Sequence, residues 1–99
     1  MESKELTFEQ KMEVLDQMEQ YYLNCRGYAT GMCSVMAYEI KKVLGPSVSV
    51  YDIRSFFPEF HKSRPNKGIY WYPLGDPVLR LKHVRGLKAE LLKNETTNV

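Results

Sequence analysis

The side chains that could perform catalysis in this 99-residue chain are two cysteines and two histidines. Cys33 stands at a predicted helix start, where a cysteine can act as a nucleophile with a histidine as its base. His61 and His83 lie 22 residues apart, and neither shares a motif with a cysteine or a carboxylate. A single cysteine in a Gly-Met-Cys-Ser run is more often an ordinary packing residue. We therefore predict no catalysis, no metal and no cofactor.

Binding chemistry is concentrated instead in residues 64–77, which hold the only tryptophan and three of the five prolines. Aromatic rings stack on flat ligands, and arginine binds phosphate through two parallel hydrogen bonds. The predicted stacking residues are Tyr70, Trp71 and Tyr72, and the predicted basic rim consists of Arg64, Lys67, Arg80 and His83. Strand alternation would send Trp71 to one face and both tyrosines to the other, and the sequence leaves open which face is buried.

A second source of anion-binding groups is the predicted start of the second helix. Gly31 and Cys33 are small residues there, so the backbone N–H groups of the first turn stay accessible to an anion. Together with the aromatic and basic residues, these donors favour a small anionic nucleotide as the ligand. A host protein that uses the same aromatics as anchors is the alternative partner.

The elements that must position these residues are mainly helical. Thr7 and Gln10 form a capping-box pattern before a helix over residues 8–23. Thr30 can cap a second helix that ends at Gly45 and Pro46. The short turn between the two helices predicts a helical hairpin.

The second half of the chain is less regular. Residues 48–57 fit either a strand or a helix, and we favour a short helix over 49–57 that Pro58 ends. Residues 69–72 have the composition of a short aromatic strand. Asp76 and Pro77 begin a last helix that ends near Lys93, with a predicted inner stripe of Val78, Leu81, Val84, Leu87 and Leu91. The expected fold class is α+β, mainly helical.

Length and charge limit the remaining possibilities. Residues 1–99 make one domain, with residues 1–6 and 94–99 expected as loose tails. Six bases against eight acids give residues 1–54 a charge of −2, whereas eight bases against four acids give residues 55–99 a charge of +4. This charge is too small to predict a nucleic-acid interface. The chain has no apolar segment of membrane-spanning length, so we expect a cytoplasmic homo-oligomer with no membrane contact.

Three motifs resemble those of small bacteriophage and prophage proteins, most of which are uncharacterised. They are Gly31-x-Cys33 at a helix start, Tyr70-Trp71-Tyr72-Pro73, and Asp76-Pro77-x-x-Arg80 at the start of the last helix. The resemblance covers about residues 27–92, and the chain departs from the pattern at Met32 and Tyr72. Some phage proteins of this size counter host defence. The resemblance therefore implies a protein that sequesters a nucleotide immune signal, or one that blocks a defence protein directly.

Overall fold

The computed structural model of the protein describes residues 5–27, 30–50, 53–62 and 77–97. The regular structure of these segments consists of α1 (Phe8–Asn24), α2 (Met32–Leu44), α3 (Ile53–Phe56), α4 (Pro58–Lys62) and α5 (Pro77–Thr97). The first helix is the centre of the arrangement, because it packs against both α5 and α2. The short helices α3 and α4 contact each other, and α3 also contacts α2.

The predicted α+β class is wrong. All regular structure in the described segments is helical, and none of it is strand. The candidate strand within residues 48–57 is irregular over 48–50 and helical from Ile53. A short strand is stable only when it pairs with another, and the described segments contain no such partner. The predicted aromatic strand at residues 69–72 lies outside the described residues.

The first helix begins where the sequence predicts. The Thr7 hydroxyl accepts a hydrogen bond from the Gln10 N–H at 3.1 Å, and the Gln10 side chain accepts one from the Thr7 N–H at 2.9 Å. This capping box satisfies two N–H groups at the helix start that lack partners within the helix. Leu6, just before the cap, is buried, and its N–H donates to the Phe56 carbonyl at 3.0 Å. Leu6 therefore belongs to the core and not to a loose tail.

The second helix ends as predicted but begins differently. Gly45 follows its last residue with φ 119° and donates its N–H to the Lys41 carbonyl at 2.7 Å. Glycine is favoured there because L side chains rarely adopt such a φ. At the other end the predicted Thr30 cap is wrong, since the N-cap residue is Gly31 and no side chain caps the helix.

The middle of the chain holds two short helices in place of one. The predicted helix over 49–57 shrinks to α3, Ile53–Phe56. Pro58 does not end the helical region but begins α4, because a proline at the first helical position loses no intrahelical hydrogen bond. Phe56, Phe57 and Phe60 are all buried.

The last helix begins at Pro77, as predicted, and continues past the expected end at Lys93 to Thr97. Its inner face holds Val84, Leu87 and Leu91, all buried as predicted. Val78 is 71% exposed, so its predicted place on the inner stripe is wrong. None of the described helices combines the length and the apolar character needed to cross a membrane.

One core connects these helices, and its largest fully buried side chains come from all but α3. They are Val14, Leu15, Met18, Met36, Ile40, Phe57, Phe60, Val84 and Leu87, with Phe57 in the link between α3 and α4. Lys11 of α1 is also buried, and its ammonium group lies 2.5 Å from Glu5 Oε2 and 3.0 Å from Glu59 Oε1. These two carboxylates compensate the charge that the core would otherwise exclude.

An ion-pair network joins α1 to α5. Lys88 Nζ lies 2.6 Å from Asp16 Oδ1 and 2.8 Å from Glu19 Oε1, and Arg85 Nε lies 2.6 Å from Glu19 Oε2. Hydrogen bonds from Lys88 and then Arg85 lower the pKa of Glu19. Hydrogen bonds to Asp16 and then Glu19 raise the pKa of Lys88. Both shifts favour the charged forms, so the network favours the contact between α1 and α5 at neutral pH.

Candidate functional site

The candidate site lies where the first turn of α5 meets the start of α2. Arg80 is in that first turn, and a β-carbon built at Gly31 would lie 3.8 Å from its Nη1 atom. The guanidinium is therefore within contact distance of the α2 N-terminus. Both residues are in the set that the sequence predicts, and the fold brings them together from positions 49 residues apart.

Two tyrosines from the end of α1 hold the turn that precedes α2. The Tyr22 hydroxyl donates to the Thr30 carbonyl at 2.9 Å. The Tyr21 hydroxyl donates to Thr30 Oγ1 at 2.8 Å and accepts from the Thr30 N–H at 3.2 Å. The N-cap residue of α2 is Gly31, which has no side chain to act as a cap. The first N–H groups of α2 therefore receive no side-chain cap.

The Tyr22 hydroxyl also links this turn to Arg80. Burial raises the pKa of Tyr22 to about 12, and a hydrogen bond with Arg80 together with its positive charge acts in the opposite direction. The phenol is therefore neutral at physiological pH and available to donate to the Thr30 carbonyl. Its ring packs edge-on against Tyr21, with centroids 5.0 Å apart and planes at 77°. Arg80 thus contacts a tyrosine that is held in place by its hydrogen bond to Thr30 and its packing against Tyr21.

The electrostatics at this point favour an anion. The N-terminal end of a helix carries a partial positive charge, and Arg80 adds a full one beside it. Within the described segments no carboxylate forms an ion pair with Arg80, and its buried Nε atom has no hydrogen-bond partner. Two positive groups placed side by side are unfavourable until an anion lies between them. The arrangement suits a phosphate or carboxylate group.

The other described members of the predicted set lie close by but have different surroundings. Cys33 is exposed in the first turn of α2, where the sequence places it. His83 is one turn beyond Arg80 and stacks on Phe60 of α4, with ring centroids 5.9 Å apart and planes at 12°. Its ring is therefore packed against the core. The structure brings Gly31 and Arg80 together but does not show His83 at the same point.

Five predicted site residues lie outside the described residues: Arg64, Lys67, Tyr70, Trp71 and Tyr72. Their assignment to stacking and phosphate binding stays a prediction. In the described segments, no cluster of three or more histidine, cysteine or acidic side chains has an arrangement that would hold a metal ion.

Sequence reasoning missed two aromatic side chains beside α2, Tyr21 at the end of α1 and Tyr38 in the middle of α2. Tyr21 and Tyr38 line a cavity of about 210 Å³, whose other lining residues are Thr30, Ser34, Val35 and Glu39. A second cavity, of about 400 Å³, is lined by Tyr38 together with Lys41, Lys42 and Pro46. Tyr38 is 63% exposed, and Lys42 Nζ lies 5.3 Å from its ring centroid.

A sequence signal for these residues did exist. Tyr38 falls on the polar face of α2, three residues before a pair of lysines. A lone aromatic on the polar face of an amphipathic helix indicates exposed surface. Tyr21 and Tyr22 end α1 next to a turn, where a phenol can reach the backbone of the following segment.

Comparison with protein-family models, curated proteins and solved structures finds no match to this chain. The resemblance to small phage proteins, carried by short motifs, therefore stays a prediction.

Proposed function

We propose that this chain is a non-catalytic binding protein for a small anionic ligand of the nucleotide class. The observation that carries the proposal is the position of the Arg80 guanidinium beside Gly31, at a helix start that no side chain caps. An arginine fork and backbone N–H groups are complementary to the oxygens of one phosphate. Gly31 adds no side chain to obstruct that phosphate.

The biological role that we propose is sequestration of a nucleotide immune signal by a phage protein in the host cytoplasm. The support for this role is the likeness of three short motifs to those of small phage proteins, together with the anion-binding geometry at Arg80. A protein that only binds its ligand needs no nucleophile or base. In this proposal it acts as a homo-oligomer that lowers the concentration of the free signal.

Thermal-shift and calorimetric titrations with cyclic dinucleotides, ADP-ribose derivatives and inorganic pyrophosphate test the proposal. A ligand that binds only the folded state raises the stability by about 2.7 kcal/mol at 100 times its dissociation constant. We expect at least one nucleotide to raise the melting temperature. If no compound in the panel did so, the proposal would be wrong.

Two substitutions on α5 locate the binding. Arg80→Gln should weaken nucleotide binding ten-fold or more, because it removes the charge next to the α2 N-terminus. Lys82→Gln is the matched control. Lys82 is exposed on the same helix, and its replacement by glutamine removes the same single positive charge. Equal losses in the two variants would show that net charge, and not this site, controls binding.

A second candidate function is an inhibitor that binds a host protein, and the surface around Tyr38 favours it. An exposed tyrosine beside Lys41, Lys42 and a 400 Å³ cavity is typical of an anchor for an acidic protein surface. Affinity capture from bacterial lysate with the wild type and a Lys41→Glu/Lys42→Glu variant tests it. A stoichiometric partner lost in the variant supports this function, and retention of the same partner by the variant contradicts it.

A further inference from the structure

We infer that the cavity between Tyr21 and Tyr38 binds the flat ring of the ligand, so that the ligand is a nucleoside phosphate rather than a phosphate ester without a base. The inference rests on the proposed function, which places the phosphate of the ligand at Arg80. It adds a position for the base of the same ligand. Both tyrosines lie in described segments, and neither belongs to the aromatic stretch on which the sequence prediction relied.

The shape and lining of this cavity fit one ring system. Its volume of about 210 Å³ is below the ~300 Å³ at which pockets for drug-sized ligands begin, so it accepts part of a ligand rather than a whole one. Two of its lining residues are tyrosines, and aromatic rings stack on any base through the π face. The exposed Tyr38 ring loses contact with water when a base covers it.

The cavity and the Arg80 guanidinium lie against consecutive residues before α2. The cavity includes Thr30, and the guanidinium lies beside Gly31, the next residue in the chain. The α-carbons of these two residues are about 3.8 Å apart, and in this inference one sugar links the base in the cavity to the phosphate at Arg80. The proposed base and phosphate positions therefore adjoin the same two-residue segment.

The segment between the two positions is held in place before any ligand arrives. The Tyr21 hydroxyl bonds both the side chain and the N–H of Thr30, so one wall of the cavity is fixed to the turn. The Tyr22 hydroxyl bonds the carbonyl of the same residue. A site that is already ordered loses less conformational entropy when it binds.

The cavity also contains an acceptor suited to a base. Glu39 is only 7% exposed, and its carboxylate lies 3.3 Å from Lys42 Nζ. A carboxylate accepts hydrogen bonds from ring N–H and amino groups, and the N–H and amino group on one edge of guanine present two such donors side by side. We therefore use guanosine 5′-monophosphate (GMP) as the probe.

The experiment is a chemical-shift titration of the ¹⁵N-labelled protein with GMP and with ribose 5-phosphate, which carries the same sugar and phosphate without the base. We expect GMP to bind roughly ten-fold more tightly or better, the contribution of one stacked base. The Gly31 amide should shift with both compounds. The Tyr38 and Glu39 amides should shift with GMP alone.

Two variants separate this inference from the proposed function. Tyr38→Ala, at an exposed position, should lower the affinity for GMP to that for ribose 5-phosphate and leave the latter unchanged, whereas Leu23→Ala, also exposed, should change neither. Equal wild-type affinities for the two compounds, or equal losses for both in Tyr38→Ala, overturn the inference while the phosphate site stands. No binding of either compound, with no effect of Arg80→Gln on any ligand, overturns both.

Discussion

Lys11 is a buried cation held by two carboxylates, so its removal should be costly. Lys11→Met keeps most of the length of the side chain but removes the ammonium group that Glu5 and Glu59 share. The carboxylates are 43% and 27% exposed, so water partly compensates them. We expect a loss of about 2 kcal/mol in the free energy of unfolding, measured by urea denaturation.

Lys82→Met is the control for this measurement, because Lys82 is exposed on α5. We expect it to change the free energy of unfolding by less than about 0.5 kcal/mol. If Lys11→Met were as stable as this control, the Lys11 ion pairs would contribute nothing, as many exposed pairs do.

Tyr22 should ionise only at high pH. Burial raises its pKa to about 12, so the folded state resists ionisation that the unfolded state undergoes near 10. Its contribution to stability is thus fully present below pH 10 and is lost as the pH rises towards 12. Ultraviolet titration should show a late tyrosinate component in the wild type that is missing from Tyr22→Phe. An unchanged titration curve in the variant would contradict this assignment.

At the residue scale, the sequence predicted two site residues that the fold brings together, Gly31 and Arg80, but not their surroundings. Gly31 and Arg80 were identifiable because a bare helix start and an arginine each suit an anion on their own. Tyr21 and Tyr22 were not, because in a sequence they read as the end of an amphipathic helix. Only the path of the turn after α1 shows that their hydroxyls reach Thr30.

The turn after α2 depends on a backbone conformation that suits glycine. Gly45 has φ 119° and ψ 150°, a region that costs other residues about 1–3 kcal/mol. Gly45→Ala should therefore lower the free energy of unfolding by about that amount. Gly86→Ala on α5 should instead raise it by roughly 0.5–1 kcal/mol, because alanine is the better helix former.

The two glycines form a matched pair because an added β-carbon would meet no described atom within 4 Å at either one. Steric clashes therefore cannot make the two alanine substitutions differ in their effect on stability. Only the backbone conformation at each glycine can. Thermal and urea denaturation of both variants measure the difference. Effects of the same sign would contradict the conformational explanation.

The contact between α1 and α5 should depend on pH through its ion pairs. Because the pKa of Glu19 is lowered in the folded state, its contribution is present above pH 4.5 and is lost as the pH falls through the folded-state pKa. Because the pKa of Lys88 is raised, its contribution is present below pH 10.5 and is lost as the pH rises through the folded-state value. Urea denaturation from pH 2 to pH 7 should show a smaller acid loss in Glu19→Gln than in the wild type.

Gln17→Glu serves as the control for this titration, since Gln17 is exposed on the same helix and gains a carboxylate without a described cation partner. It should leave the acid loss close to that of the wild type. A Glu19→Gln curve that followed the wild type from pH 2 to pH 7 would mean that the network adds no stability.

At the scale of elements, helices with strong end signals were predictable and the middle of the chain was not. Thr7 with Gln10 and Gly45 with Pro46 fixed the start of α1 and the end of α2 by local chemistry. Residues 48–57 carry both strand and helix features, and tertiary packing of Phe56 and Phe57 decides between them. The α+β class was wrong because it assumed a strand that the described segments cannot pair.

The whole molecule exposes two large apolar side chains on one line of α5. Val78 is 71% exposed and Leu92 is 50% exposed. They are 14 residues apart, which is almost four full helical turns, so both lie on the same face of the helix. We predict that native mass spectrometry finds a homo-oligomer, and that Val78→Glu/Leu92→Glu shifts it to the monomer. If the wild type were monomeric at all concentrations, the part of the proposed function that requires a homo-oligomer would be wrong.

The packing of α1 against α5 has a consequence for the order of events during biosynthesis. Glu19 meets Arg85 across 66 residues of sequence, so α1 is translated well before the helix it pairs with. The nearer helix α2 can cover its share of α1 early, but the part of α1 that contacts α5 stays exposed until α5 has been translated. A chaperone acting on the nascent chain would therefore meet α1 half covered, with the α5-facing side still open.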